Sequence, residues 1–397
     1  MAAGDKVYLG GAFTQVTDTD GKTYARNNLA AFDATTGRLL QNWDPDATNS
    51  SGTSKVRAMA LSADGSRLFV GGTFSRVGGT ARGRLAAVDP ATGAVLGGWN
   101  PGNVEGSVWA LAASATRLYI GGDFTAINGQ PRERLAAVGP ATGALDPAWR
   151  PRAYRGDGED ATVRALHLSA DRSLLYAGGF FNHVTDVHTG KLAAMDATTG
   201  ALNTAFRPNQ GDVVLCMDVS GGDVYVGTGD PLEGIESFGG ATGQQRWSVP
   251  GGHPDPRAGD VQAIAVWDET VYVGGHGILI GGLIRPRLYA AAAATGKILA
   301  WRPVIPGGSG SLGVWALEVD RGRGRLYAGG DFTEVSGQPR ERFAQFSEAP
   351  PPRGGLHDHR HAERRPGSVP LGSDAVRRRG GTNDAIFSGR TTRGPAR

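Results

Sequence analysis

A single cysteine, Cys216, stands in a chain of 397 residues. That excludes an intrachain disulfide and any zinc site built on cysteines, and it is neutral about compartment. There is no run of 18 apolar residues, so no membrane span is expected. Met1-Ala-Ala-Gly4 leads straight into a strand-like segment, without the basic and apolar regions of a signal peptide, so no export signal is expected in the chain as it stands. Helical periodicity is missing, which excludes helical and leucine-rich repeats. The Gly-x-Ser-x-Gly elbow and the His-Glu-x-x-His zinc signature are missing too.

Charge is also scarce where it would point to a polyanionic partner. The net charge is +3, but from Ser347 onward there are ten Arg against five acidic residues, which leaves 31 basic and 33 acidic residues before it. The folded part is therefore near neutral, and no case for nucleic acid or membrane binding follows from it. Residues 347–397, rich in Arg, Pro and Gly, are expected to form a disordered tail.

What the chain does have is a repeated segment. Val7-Tyr-Leu-Gly-Gly-Ala-Phe-Thr14, Leu68-Phe-Val-Gly-Gly-Thr-Phe-Ser75, Leu118-Tyr-Ile-Gly-Gly-Asp-Phe-Thr125, Leu175-Tyr-Ala-Gly-Gly-Phe-Phe-Asn182 and Leu326-Tyr-Ala-Gly-Gly-Asp-Phe-Thr333 are five copies. Val224-Tyr-Val-Gly-Thr228 and Val271-Tyr-Val-Gly-Gly275 are two shorter ones, and successive first glycines lie 47 to 61 residues apart. Such a period signals propellers or solenoids. Each copy reads as four short strands, as in Val108–Ser114, Arg117–Thr125, Arg134–Val138 and Leu145–Trp149. The expected fold is an all-β, seven-bladed propeller of four-stranded antiparallel blades over residues 1–346, with the end blades incomplete. Glycines inside a strand are unfavourable unless something must come close, so they and the following Phe (Phe13, Phe74, Phe124, Phe181, Phe332) are expected to serve packing between blades. A turn of the Asp-x-x-Thr-Gly type follows the third strand, with Trp43, Trp99, Trp149 and Phe206 six residues beyond its glycine. These aromatics are expected to dock on the adjacent blade.

These residues together resemble the delta-sixty repeat family of bacterial β-propellers, over roughly residues 5 to 346. The resemblance implies the propeller fold and a secreted or cell-surface location, with no assigned biochemistry. The Thr-Gly turn is also similar to the tryptophan docking motif of quinoprotein dehydrogenases. Their vicinal cysteine pair cannot be supplied here.

Function is expected on the face that carries the second-to-third and fourth-to-first strand connections, because the latter vary between copies. Arg82 and Arg84, Arg132 and Arg134, Arg285 and Arg287, and Arg340 and Arg342 precede the third strands on that face, joined by Arg26, Lys191 and Arg207. They form a candidate rim for a carboxylated or sulfated glycan or a protein. The alternative is that each pairs with an acid such as Glu133, Glu341, Asp44 or Asp123. His276 lies where the sixth copy departs from the pattern, and with His253, Asp255 and Asp260 it makes a candidate cluster without metal-ligand spacing. Asp18-Thr-Asp-Gly21 is too short for a calcium loop, and Arg155-Gly-Asp157 reads as an ordinary loop. No cofactor, metal or catalytic residue is assigned, and a monomer is expected. The reading is a non-enzymatic binding or scaffold module for surface polysaccharide or protein. The competing reading is an axial-pocket enzyme, quinoprotein-like or acting on polysaccharide. The truncated first and last copies point to a late start, a fragment or a shifted frame.

Overall fold

The computed structural model describes residues 1–347 except 51, 230–232, 253–258, 278, 286 and 307–312. The tail, His253 and Asp255 lie outside the described residues. Among those described there are seven main antiparallel sheets, one per copy, and no helix. Their inner strands are Ala2–Ala3, Val56–Leu61, Val108–Ala113, Thr162–Leu168, Val213–Ser220, Val261–Trp267 and Val314–Asp320. Each inner strand touches the next around the axis or reaches it through its own sheet, and Ala2–Ala3 meets Val314–Asp320 to close the ring.

Among the described residues the fourth strand is complete only in the fifth sheet, as Gln245–Gly252. In five other copies it shrinks to a single bridge, for example Val138 to Leu145 and Met195 to Leu202. The preceding turn is firmly held. Asp33, Asp89 and Asp196 each accept two backbone N–H bonds within the turn, and the closing glycines take positive φ, as at Gly143 (81°). The chain then leaves for the aromatic that docks outward.

Two layers of contact join the sheets. Near the axis, the first glycine of each of the first six copies is a vacancy for a valine of the next sheet's inner strand: Val56 against Gly10, Val108 against Gly71, Val163 against Gly121, Val214 against Gly178, Val261 against Gly227 and Val314 against Gly274. The close neighbour is thus a branched side chain rather than a ring. Farther out, Phe74 packs with Tyr8, Leu29 and Trp43, and Phe124 with Leu85, Trp99 and Val104, so the Phe of one copy fills the layer beside the preceding sheet. Trp99 Nε1 donates to Gly139 O (3.2 Å) and Trp247 Nε1 to Ala293 O (2.8 Å), each in the following copy's turn. Tyrosines add the same cross-link: Tyr8, Tyr119 and Tyr176 hydroxyls donate to Pro90 O, Ala197 O and Gly240 O at 2.7–2.9 Å.

On the variable-loop face, the second-to-third connection folds into a small hairpin in six of the seven copies. The connection arriving from the previous copy adds a strand to it: Val104–Glu105 pairs with Ala126–Ile127, and Ala153–Tyr154 with His183–Val184. This face is therefore built of small sheets as well as loops.

Candidate functional site

In every pair after Gly10-Gly11, the second glycine has a different task from the first. A Cβ on Gly72, Gly122, Gly179, Gly275 or Gly330 would strike the carbonyl of Lys55, Ser107, Thr162, Asp260 or Gly313, each just ahead of the same sheet's inner valine. The inner strand can press in there only because the glycine is bare. One residue later its pairing slips: the register shifts between Val56 and Ala58, Val108 and Ala110, Val163 and Ala165, Val214 and Cys216, Val261 and Ala263, and Val314 and Ala316. The bulged residues are Arg57, Trp109, Arg164, Leu215, Gln262 and Trp315. A bulge re-aims a side chain. Here it does so at equivalent places around the axis, on the variable-loop face, where strands begin after the variable connections.

Three of the six form one group. Arg57 Cζ lies 3.4 Å and Arg164 Cζ 4.0 Å from the ring centroid of Trp109, approaching from the sheets before and after it. Cation–π attraction of about 0.5–2 kcal/mol per pair offsets the repulsion between the two cations. Trp109 is held by Asp123, whose Oδ2 accepts its indole N–H at 3.0 Å and whose Oδ1 accepts the Ser107 amide. Among the described residues neither guanidinium has an ion-pair partner. Burial, and then the Arg57 charge, bring the Arg164 pKa down to about 10, so it stays cationic at neutral pH. Trp315 repeats part of the arrangement: its indole donates to Asp331 at 3.1 Å, and His276 meets its ring edge-on at 4.4 Å. His276 thus joins the axial mouth.

The arginines preceding the third strands have other work. Arg26, Arg82 and Arg132 are buried; Nη1 of each donates to the carbonyl of the residue before it (2.7–2.9 Å), and Nη2 to an outer-turn carbonyl, Gln41 O (2.6 Å), Gly97 O (3.3 Å) or Asp146 O (3.1 Å). Arg285 and Arg340 make the first of these bonds, to Ile284 O and Pro339 O. The second arginine of each pair holds a left-handed backbone, with φ of 64–67° at Arg84, Arg134, Arg287 and Arg342. Arg84 reaches Asn103 Oδ1 (3.4 Å), Arg134 Ala161 O (3.1 Å) and Arg287 Ile305 O (3.3 Å), all in the connection leaving the same copy. These guanidiniums stitch hairpins to turns and connections, mostly through carbonyls, and Arg26 also meets an acid, Asp44 at 3.0 Å.

Other sequence candidates resolve locally. Asp18 Oδ1 accepts amides of Thr19 and Leu39 within and beside its hairpin, and Arg155 pairs with Asp157 of its own tripeptide. Among the described residues no group of three or more His, Cys, Asp or Glu could hold a metal ion, and no helix is long and apolar enough to cross a membrane. The Trp109 group escapes the sequence reading because Val108-Trp-Ala-Leu111 looks like plain strand alternation. The signal that was there is the contrast between uniform valines and the varied residue after each.

The family model PQQ_2, described as outer membrane protein assembly factor BamB, matches residues 5–177 and 131–347. No curated protein matches the chain. Among solved structures, the β-propeller domain of Cps50 (Swd1) from Myceliophteria thermophila superposes with a TM-score of 0.51 at 12% identity, over 87% of this chain and 100% of that one. BamB from Moraxella catarrhalis aligns at 20% identity and a TM-score of 0.45, over 81% and 82%. A computationally designed protein, Ika8, aligns at 15% and 0.48, over 83% and 92%. The first of the three shows a shared propeller fold.

Proposed function

The chain belongs to the PQQ_2 family of BamB-like propellers, and from that premise we propose that it is a non-catalytic binding module whose variable-loop face, centred on the axial mouth, holds a carboxylate-bearing segment of a protein partner. The observation that carries this reading is the Trp109 group: two cations, neither in ion-pair contact with an acid among the described residues and both under the longer-range charge of Asp123, are fixed on one aromatic ring at the centre of the face. A carboxylate entering between Arg57 and Arg164 would relieve their repulsion and form charge-assisted hydrogen bonds. Trp and Arg together are the residue types that anchor protein interfaces. The family's description as an assembly factor points the same way, and we place the chain at the cell envelope or surface. Within the family we place the chain in the delta-sixty repeat type, on its Tyr-x-Gly-Gly-x-Phe-Thr units, and take it to act as a monomer.

An axial enzyme would need carboxylates free to act on the axis at this face. Asp123 and Asp331 are engaged by indole N–H groups instead, and a single cysteine does not fit a quinoprotein site. The test is binding of a glutamate-rich peptide by calorimetry at low and high salt. Saturable binding that weakens with salt, and that falls at least tenfold in Arg57→Ala and Trp109→Ala, is expected. Binding that both substitutions leave unchanged would overturn the reading.

A further inference from the structure

The fourth copy departs from its neighbours at one position with a spatial consequence. Where copies one to three bury Arg26, Arg82 and Arg132 between hairpin and outer turn, it has Thr189, whose hydroxyl reaches only Gly190 O, at 3.3 Å. The outer-turn carbonyl that Arg82 takes in the second copy is Gly97 O; its counterpart here, Thr204 O, is taken by Arg207 Nε at 2.8 Å. The backbone frame is kept: Leu202 bridges Met195 just as Val95 bridges Val88. Thr189 instead lines a pocket of about 410 Å³ that is open to solvent, wider than a guanidinium alone would fill.

Its lining gives the chemistry. Leu202 and Phe206 offer apolar surface, Thr189 and Asn203 offer hydroxyl and amide groups, and Lys191 and Arg207 stand beside it. No acidic side chain is among the described residues that line it. The Lys191 ammonium is half-buried, and burial lowers its pKa. A cavity of this size takes a small molecule. An apolar patch with hydrogen-bonding groups around it suits the mixed surface of a sugar ring, and two cations without a lining acid select a negative substituent.

We propose that the fourth copy carries a binding site for a carboxylated sugar, a hexuronate, in the pocket lined by Thr189, where the first three copies bury an arginine. The ring lies against Leu202 and Phe206, its hydroxyls meet Thr189 and Asn203, and its carboxylate meets Lys191 and Arg207. The site shares the variable-loop face with the axial mouth but none of its residues, so it goes beyond the reading above and stands or falls separately.

The experiment is calorimetry on the full chain with sodium glucuronate, glucose and sodium acetate. Glucuronate is expected to bind saturably, with glucose and acetate at least tenfold weaker. Thr189→Arg, which restores the side chain of the neighbouring copies, is expected to abolish glucuronate binding without lowering the melting temperature. Arg207→Ala should weaken it at least fivefold, while Arg57→Ala at the axial mouth leaves it unchanged. Absent glucuronate binding, equal binding of acetate, or wild-type affinity in folded Thr189→Arg would overturn the proposal. Should Thr189→Arg not fold, wild-type affinity in Arg207→Ala would do so.

Discussion

Val163 Cγ1 lies 2.7 Å from the point that a Cβ on Gly121 would occupy. The two residues belong to different sheets, so a methyl group at Gly121 must push the sheets apart or force Val163 from its rotamer. Gly329, the equivalent glycine of the seventh copy, has nothing nearer than Ala316 Cβ at 3.8 Å. Gly121→Ala is therefore expected to cost about 1–3 kcal/mol, as overpacking does. Gly329→Ala is expected to be neutral or to gain up to about 1 kcal/mol from the stiffer unfolded chain. Denaturant unfolding midpoints of the two variants check this, and equal losses would contradict the valine lock.

Tyr119 donates from a buried hydroxyl to Ala197 O across the sheet boundary, at 2.7 Å. Tyr119→Phe keeps the ring and leaves that carbonyl without its donor. A loss of about 0.5–1.5 kcal/mol is expected from one such bond. Phe69 in the second copy occupies the same position without a hydroxyl, so the ring tolerates the change and the variant should fold.

His167 Nε2 lies 3.2 Å from Asp218 Oδ1, joining the inner strands of the fourth and fifth sheets. Burial disfavours the charged ring, but the hydrogen bond and charge of Asp218 outweigh it and raise the His167 pKa above the ordinary value. A raised folded pKa means that this contribution to stability is complete below the unfolded value of about 6.5 and fades as pH rises through the folded one. An NMR titration should place His167 above its ordinary pKa in the native chain and lower in Asp218→Asn. An unshifted titration on that substitution would remove the pairing as the cause.

The ring was legible in the sequence because its joints are periodic: each Gly-Gly pair, Phe and docking aromatic answers the same steric demand in successive copies. What stayed hidden depends on contacts between strands. Trp109 reads as one more alternating residue until Ser107 O presses against bare Gly122 and the strand slips, turning the indole toward the axis. Arg84 and Arg134 could be located from their repetition, but not their left-handed backbone or their carbonyl partners. Thr189 is a small polar residue in a polar stretch, and its meaning appears only beside the volume that Arg82 and Arg132 occupy.

The boundary between the seventh and first sheets is made differently from the other six. No valine fills Gly329; instead Glu318 Oε1 accepts the Ala2 amide, Arg323 donates to Gly4 O, Arg325 donates to Ala34 O, and Phe32 stacks on Phe343 at 6.5 Å. The seventh joint keeps an apolar layer of Val7, Phe32, Tyr327 and Phe343 but lacks the valine-in-glycine contact of the other six, and adds exposed and half-buried hydrogen bonds in its place. A loop of equal links with one dissimilar clasp has a direction of failure: under heat or pull it should part there first and peel as an open chain of intact sheets, and amide exchange at Ala2, whose N–H bonds across the joint, should run ahead of the rest of the ring.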